Sequence, residues 1–175
     1  MSQAEQDKKT ELAKQYEALW REFGPSLQRL VFSYEFLPQA REDLLQEILL
    51  ALWIALPRFR GESSLRTFVF RIAHNRSLTH VWRRKRAGVS EDPESLQLSD
   101  KRDGPESAVI RNKNQERLLQ AIRELPVALK QMMTLALEET SHAEIAEILG
   151  ISENNVAVRL NRARNLLREK LGGRQ

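Results

Sequence analysis

Nine basic residues fall between positions 58 and 86: Arg58, Arg60, Arg66, Arg71, Arg76, Arg83, Arg84, Lys85 and Arg86. They face the single acid Glu62, a local charge of +8. Phe59, Phe68, Phe70 and Trp82 are interleaved among them. Guanidinium groups neutralise phosphates, while aromatic faces and polar side chains can hold unstacked bases. Arg71, His74 and Asn75 share one helical face through three- and four-residue spacing. The plainer alternative is a solvated basic surface over a core that contains Phe68 and Ile72. Those two residues do fit a core, but the density of positive charge favours a polyanion.

A second constellation lies between Ser141 and Leu171. Ser141-His142-Ala143-Glu144 has the form of a capping box. Ile145, Ala146, Ile148 and Leu149 make a short apolar face, Gly150 permits a left-handed helix end, and Ile151 plugs the turn. Ser152 can cap a second helix that points Val156, Leu160 and Ala163 inward. Ala146 leaves room for a steep helix crossing, so the spacing is that of a DNA-binding helix-turn-helix. From residue 152 onward six Arg or Lys oppose Glu153 and Glu169, a local charge of +4. An ordinary helical hairpin with a charged face is the competing reading.

The third constellation is the segment 40–56. Leu45, Ile48, Leu49, Leu52 and Leu56 form a core stripe. Asp43, Gln46, Glu47, Leu50 and Trp53 form another, acidic at one end and apolar at the other. A small domain has no room to bury both, so the second stripe points to a partner helix, with self-association as the alternative.

The elements that position these residues are helical. Periodicity near 3.6 dominates the 175 residues, and no stretch alternates like a strand. Gly24-Pro25, Pro38 and Pro57 suggest helices near 10–23, 26–37 and 40–56. Ser64 suits the cap of a longer helix to about Arg86, helical pattern resumes from Ser107 to Leu125, and Pro126 suits the first turn of a helix ending near Glu139. Between them, residues 87–106 hold two Pro, two Gly and six acids against Lys101 and Arg102, the composition of a flexible acidic linker. The expected fold class is therefore all-α: two small helical domains, 10–86 and 107–173, the second containing the helix-turn-helix.

The chain has no cysteine and three histidines, which excludes disulfides, thiolate metal sites and a cysteine nucleophile. His74 and His80 are six apart with no third ligand in view, so no metal or other cofactor is expected. The polar stretch Met1 to Lys14 carries no signal core, and the longest apolar run, Ile48 to Leu56, is short of the about 20 residues a membrane span needs. A cytoplasmic location without membrane insertion is expected.

Asp43 to Arg86, which contains DLLQE, FRGESSLRTF and RIAHN, resembles region two of the bacterial extracytoplasmic-function (ECF) sigma factors. Leu125 to Leu171 resembles their region four. The resemblance covers both predicted domains in family order. It implies a non-enzymatic factor that binds core RNA polymerase, directs it to promoters, and melts DNA to initiate transcription. It places Asp43, Gln46, Glu47, Leu50 and Trp53 on the clamp coiled coil of the largest polymerase subunit, with the polymerase flap as a further contact. It assigns Arg60, Ser63, Ser64, Arg66, Thr67, Phe68, Arg71 and Asn75 to opening and reading the minus-ten element as single-stranded DNA. Arg83, Arg84, Lys85 and Arg86 would hold adjacent duplex. Asn154, Asn155, Arg159, Asn161 and Arg162 would read the minus-thirty-five element. An anti-sigma protein that grips both domains is a further implied partner.

Two positions depart from the family pattern. Ala157-Val158 stands where Lys-Ser is frequent, and Asn161 where His is common, so the resemblance implies no particular minus-thirty-five sequence.

The competing function is a one-component helix-turn-helix repressor or activator with a sensing N-terminal half. Such a protein needs a ligand cavity and a dimer interface, yet the densest positive charge here lies outside the helix-turn-helix. No nucleophile–base set, phosphate loop or metal cluster assembles into an enzyme, and no small-molecule substrate is expected.

Overall fold

Leu19, Phe23, Leu27, Leu30, Val31 and Tyr34 recur every three or four residues and are all buried. That stripe holds a single helix, α1 (Gln3–Tyr34), straight through Gly24-Pro25. The two helices expected on either side of Pro25 are one. A proline inside a helix costs about 3 kcal/mol. Burying Leu27 and Leu30 returns roughly 1.5–3 kcal/mol each, so the continuous stripe wins. Gly24 also lies under the Trp20 ring, where a Cβ would sit 3.0 Å from it.

The computed structural model describes residues 3–88 and 106–172, with backbone alone for 3–5, 8 and 106–112. After α1 come α2 (Pro38–Ala55), a 3-10 turn (Leu56–Arg58) and α3 (Leu65–Arg86). Then follow α4 (Glu106–Arg123), α5 (Val127–Leu137), α6 (His142–Leu149) and α7 (Glu153–Gly172). The described residues are all-helical, as the periodicity predicts. Of the predicted linker 87–106, only Ala87, Gly88 and Glu106 are described; the rest lies outside the described residues.

Local signals set the helix ends. Pro38 opens α2 at a position where its missing N–H costs nothing. The Ser64 hydroxyl accepts the Thr67 N–H at 3.0 Å and caps α3. The Ser141–Glu144 capping box forms in both directions, and Gly150 adopts φ 67° at the end of α6. The Ser152 hydroxyl accepts the Asn155 N–H at the start of α7. Pro126 differs slightly from expectation: it precedes the first residue of α5, and α5 ends at Leu137 with Glu139 left-handed at φ 56°.

Helices α1 to α3 pack around Leu44, Ile48, Leu52, Val69, Phe70 and Ala73. Leu44 is fully buried while Leu45 and Leu49 are only partly so, which turns the core stripe of α2 slightly from the predicted one. The same continuous core runs on through α4 to α7, which pack around Ile122, Met132, Leu135, Ile145, Val156 and Leu160. A buried polar knot fixes the α1–α2 turn. Glu35 accepts the backbone N–H groups of Phe36 and Leu37, pairs with His80 at 2.8 Å, and pairs with Arg84 at 2.8 Å.

The two halves also pack on each other, α1 against α4 and α5, and α3 against α6. Arg123 of α4 lies between the rings of Phe32 and Phe36, 4.5 and 4.1 Å from their centroids. No described helix is long and apolar enough to cross a membrane.

Candidate polymerase and nucleic-acid interface

On α2, Asp43, Gln46 and Leu50 are exposed, Leu50 by 60%. Glu47 is half-buried and pairs with Arg83 of α3. Trp53 is also half-buried, its ring edge-on to Tyr16 of α1 with centroids 5.1 Å apart. Tyr16 donates its hydroxyl to the Leu49 carbonyl at 3.1 Å, so α1 braces this side of α2. Ile54, which the sequence reading omits, is 57% exposed. It lies four residues beyond Leu50 and seven beyond Glu47, the spacing that could have revealed it. The stripe is thus acidic at Asp43 and apolar at Leu50 and Ile54.

One face of α3 carries Phe68, Arg71, Ile72, Asn75, Thr79, Trp82, Arg83 and Arg86 at helical spacing. Three adjoining grooves run along it. The first, about 770 Å³, is lined by Arg58, Phe59, Arg60, Ser63, Phe68 and Arg71 among others. The second, about 420 Å³, shares Arg58 and Phe68 with it and adds Ile54, Ile72, Asn75 and Thr79. The third, about 380 Å³, shares Asn75 and Thr79 with the second and ends at Trp82, Arg83 and Arg86. The Phe59 and Phe68 rings pack at 4.7 Å, tilted by 42°, and form an aromatic wall where the grooves meet. Trp82 stands 61% exposed at the far end. The charge pattern brings it into view, but the motif residues do not include it.

Arg60, Ser64, Arg71, Asn75, Arg83, Lys85 and Arg86 are exposed, and Ser63 and Phe68 are partly so. Two expected DNA contacts are not on this surface. Thr67 is 1% exposed, its hydroxyl bonded to that of Ser64. Arg84 is tied to the buried carboxylate of Glu35. Both belong to the scaffold of the helix rather than to its reading face. His74 and His80 are buried as well. The His74 Nδ1 pairs with the Tyr34 hydroxyl at 3.0 Å, and burial holds the imidazole pKa down to about 3, so the ring is neutral.

Arg66 and Arg71 meet the other half of the chain. Arg66 donates to the Glu138 carbonyl, and Arg71 donates to the Glu147 carbonyl at 3.1 Å. The Glu138 carboxylate accepts Arg29 Nε at 2.7 Å, Arg29 Nη2 at 2.6 Å and the Ser26 hydroxyl at 2.5 Å. Burial alone would raise its pKa, but the bonds from Arg29 and Ser26 outweigh that and hold it below the ordinary carboxylate value. Helices α5 and α6 therefore cover one end of the α3 reading face.

In the second half, Val156, Leu160, Ala163 and Leu167 seat α7 against the core, and Ala146 at the crossing is buried. Asn154, Asn155, Asn161 and Arg162 are exposed, while Arg159 is only partly so, on the flank nearer the core. Val158, not among the expected readers, is exposed in their midst.

Residues 19–87 match the model of sigma-70 region 2, and residues 115–167 match that of sigma-70 region 4. The RNA polymerase sigma-H factor of Pseudomonas aeruginosa is 31% identical over 143 residues, covering 76% of this chain and 74% of its own. The RNA polymerase sigma factor YlaC of Bacillus subtilis is 29% identical over 157 residues, covering 89% and 91%. The fold is shared with the sigma factor RpoE in its complex with the anti-sigma factor NepR from Bartonella quintana, at TM-score 0.72 and 21% identity over 93% of this chain and 99% of that one. It is also shared with CnrH in its complex with the cytosolic domain of CnrY, at TM-score 0.68 and 21% identity over 93% and 91%. Regions 2 and 4 in order, the basic-aromatic face of α3 and the helix-turn-helix of α6 and α7 place this chain in the family of ECF RNA polymerase sigma factors.

Proposed function

We propose that the chain joins core RNA polymerase through α2, opens promoter DNA along α3 and reads an upstream element with α7. The observation that carries this reading is the continuous reading face of α3. Three adjoining grooves have Phe59, Phe68 and Trp82 on their walls and Arg58, Arg60, Arg76 and Arg86 on their rims. They suit a strand whose bases have been pulled from the duplex, once Glu147 of α6 has left the first of them. In this reading Arg60, Ser63, Ser64, Phe68, Asn75 and Trp82 hold the minus-ten bases, and Arg83, Lys85 and Arg86 hold backbone phosphates. Asp43, Gln46, Glu47, Leu50 and Trp53 meet the polymerase clamp, and Ile54 lies where that face borders the second groove. Nothing in this scheme makes or breaks a covalent bond, so the chain acts by binding, in the cytoplasm where polymerase works.

The packed halves must part for this to happen. Elements about 25 base pairs apart lie roughly 85 Å apart along the duplex. A folded chain of 175 residues has a radius of gyration of only about 16 Å. Separation also frees Arg66 and Arg71 from the carbonyls of Glu138 and Glu147. An anti-sigma protein, such as that bound to the RpoE relative, fits here as a partner that stabilises a form with these faces covered.

Run-off transcription with purified core polymerase on fragmented bacterial DNA tests the reading. The full chain should start RNA synthesis at defined sites where core alone does not. Failure at every site overturns it. A repressor, by contrast, would shift duplex DNA without polymerase.

A further inference from the structure

The outward side of α7 is chemically distinctive. Its core side is Val156, Leu160, Ala163 and Leu167. At about 100° per residue, the opposite side carries Asn154, Val158, Asn161 and Asn165 in one stripe. All four are exposed, and Val158 is 61% so. The arginines stand to the sides of this stripe: Arg162 next to it, and Arg159 half-covered toward the core. A β-branched apolar side chain at the crest of a polar, basic helix gains nothing from water. Its placement favours a surface that offers one apolar group amid hydrogen-bonding groups.

The major groove offers such a surface at A·T pairs. The thymine C5-methyl is the apolar group on its floor, and adenine N6 and N7 match the donor and acceptor of an Asn amide. Guanine, in contrast, is matched by Arg or Lys. Exposed Arg162, as far round α7 from the outward pole on one side as Asn161 is on the other, is placed to take one at the edge of the footprint. Asn154, Val158 and Asn161 occupy the N-terminal half of α7 (Glu153–Gly172), the part of a recognition helix that reaches base edges. We propose that Val158 packs on a thymine methyl and that Asn154 and Asn161 read adenine, so the upstream element of this factor is A·T at the centre of the α7 footprint. This rests on the reading of α7 as the recognition helix.

The test uses holoenzyme reconstituted from core polymerase and the full chain, on a promoter recovered by transcription from DNA randomised in the upstream element. Each upstream thymine is replaced in turn by deoxyuridine, which removes the methyl and leaves pairing intact. One replacement should weaken holoenzyme binding about fourfold, the effect of losing one buried methyl-sized group. Holoenzyme carrying Val158→Ala should bind the thymine promoter correspondingly less well and be indifferent to that replacement. Val158 is exposed, so the variant should keep its helicity by circular dichroism.

If scrambling the upstream element abolishes binding while no deoxyuridine matters, the thymine contact is overturned and the recognition helix stands. If scrambling has no effect, both are overturned. If Val158→Ala instead lowers affinity for core polymerase, Val158 faces protein and the proposal is wrong.

Discussion

Arg29 of α1 holds both oxygens of Glu138 at the end of α5, at 2.7 and 2.6 Å, across the boundary between the two halves of the molecule. Arg66 donates to the carbonyl of the same residue, so Glu138 joins three side chains of the first half at one point. Arg29 is partly exposed, which limits the worth of its pair. Replacing Glu138 with Ala should still cost about 1–3 kcal/mol, because Arg29 and Ser26 lose a charged acceptor. Two fluorophores, one on α1 and one on α7, should move apart in the variant; an unchanged transfer efficiency would show that apolar packing alone keeps the halves together.

The same carboxylate makes the packed form sensitive to acid. Its pKa is lowered in the folded chain, so its contribution is fully present above the ordinary value of 4.5 and is lost as pH falls from there through the folded value. Glu35 behaves alike, since hydrogen bonds from His80 and the turn backbone outweigh its burial. His74 acts over a higher range. Its folded pKa is near 3 against an ordinary 6.5, so the unfolded chain takes up a proton that the folded chain refuses. Stability should therefore fall as pH drops below about 6.5, on the order of 1 kcal/mol per unit. Urea midpoints measured from pH 7 to 4 check this, and His74→Asn should flatten the upper part of the slope.

Leu50 and Ile54 are exposed, and neither is needed for the core of the first half. Changing both to Glu should leave the melting temperature nearly unchanged. It should weaken binding to core polymerase by tenfold or more, since central apolar residues dominate such interfaces. Fluorescence anisotropy against core polymerase decides it, and equal affinity would remove α2 from the interface.

Trp82 has no ring partner among the described residues and closes the third groove. Base stacking on an aromatic side chain is worth roughly 1–3 kcal/mol. Trp82→Ala should thus reduce open-complex formation by about fivefold or more, with Trp82→Phe restoring most of it. Permanganate reactivity of melted thymines reports the step. A loss in closed-complex binding of equal size would assign Trp82 to duplex DNA instead.

These residues differ in how far the sequence alone reveals them. The caps at Ser64 and Ser141 are legible because each is a side chain acting on backbone three residues away, and the left-handed turn at Gly150 because a residue without a Cβ adopts it freely. Gly24-Pro25 misleads for a related reason: a local breaker says nothing of the apolar stripe that carries α1 past it. The doubled stripe on α2 is legible, but its exposed side extends to Ile54 and its core side turns from Leu45 to Leu44, a rotation of one helix position. Thr67 and Arg84 looked like part of the reading face since they sit within its motif. Arg84 is withdrawn by Glu35, forty-nine positions away, and no spacing rule anticipates such a pair. The packing of one half on the other was likewise invisible, for it joins surfaces that each look complete alone.

That packing bears on how the protein behaves between rounds of use. A cell offers millions of chance sites to any basic helix, and most binding to them is electrostatic and blind to sequence. With Arg66 bonded to the Glu138 carbonyl and the still-exposed Arg71 paired with Glu147, the packed form has two fewer unengaged guanidinium groups to offer the chromosome. It can accumulate without being soaked up by bulk DNA, and stay ready for the enzyme that unfolds its grip.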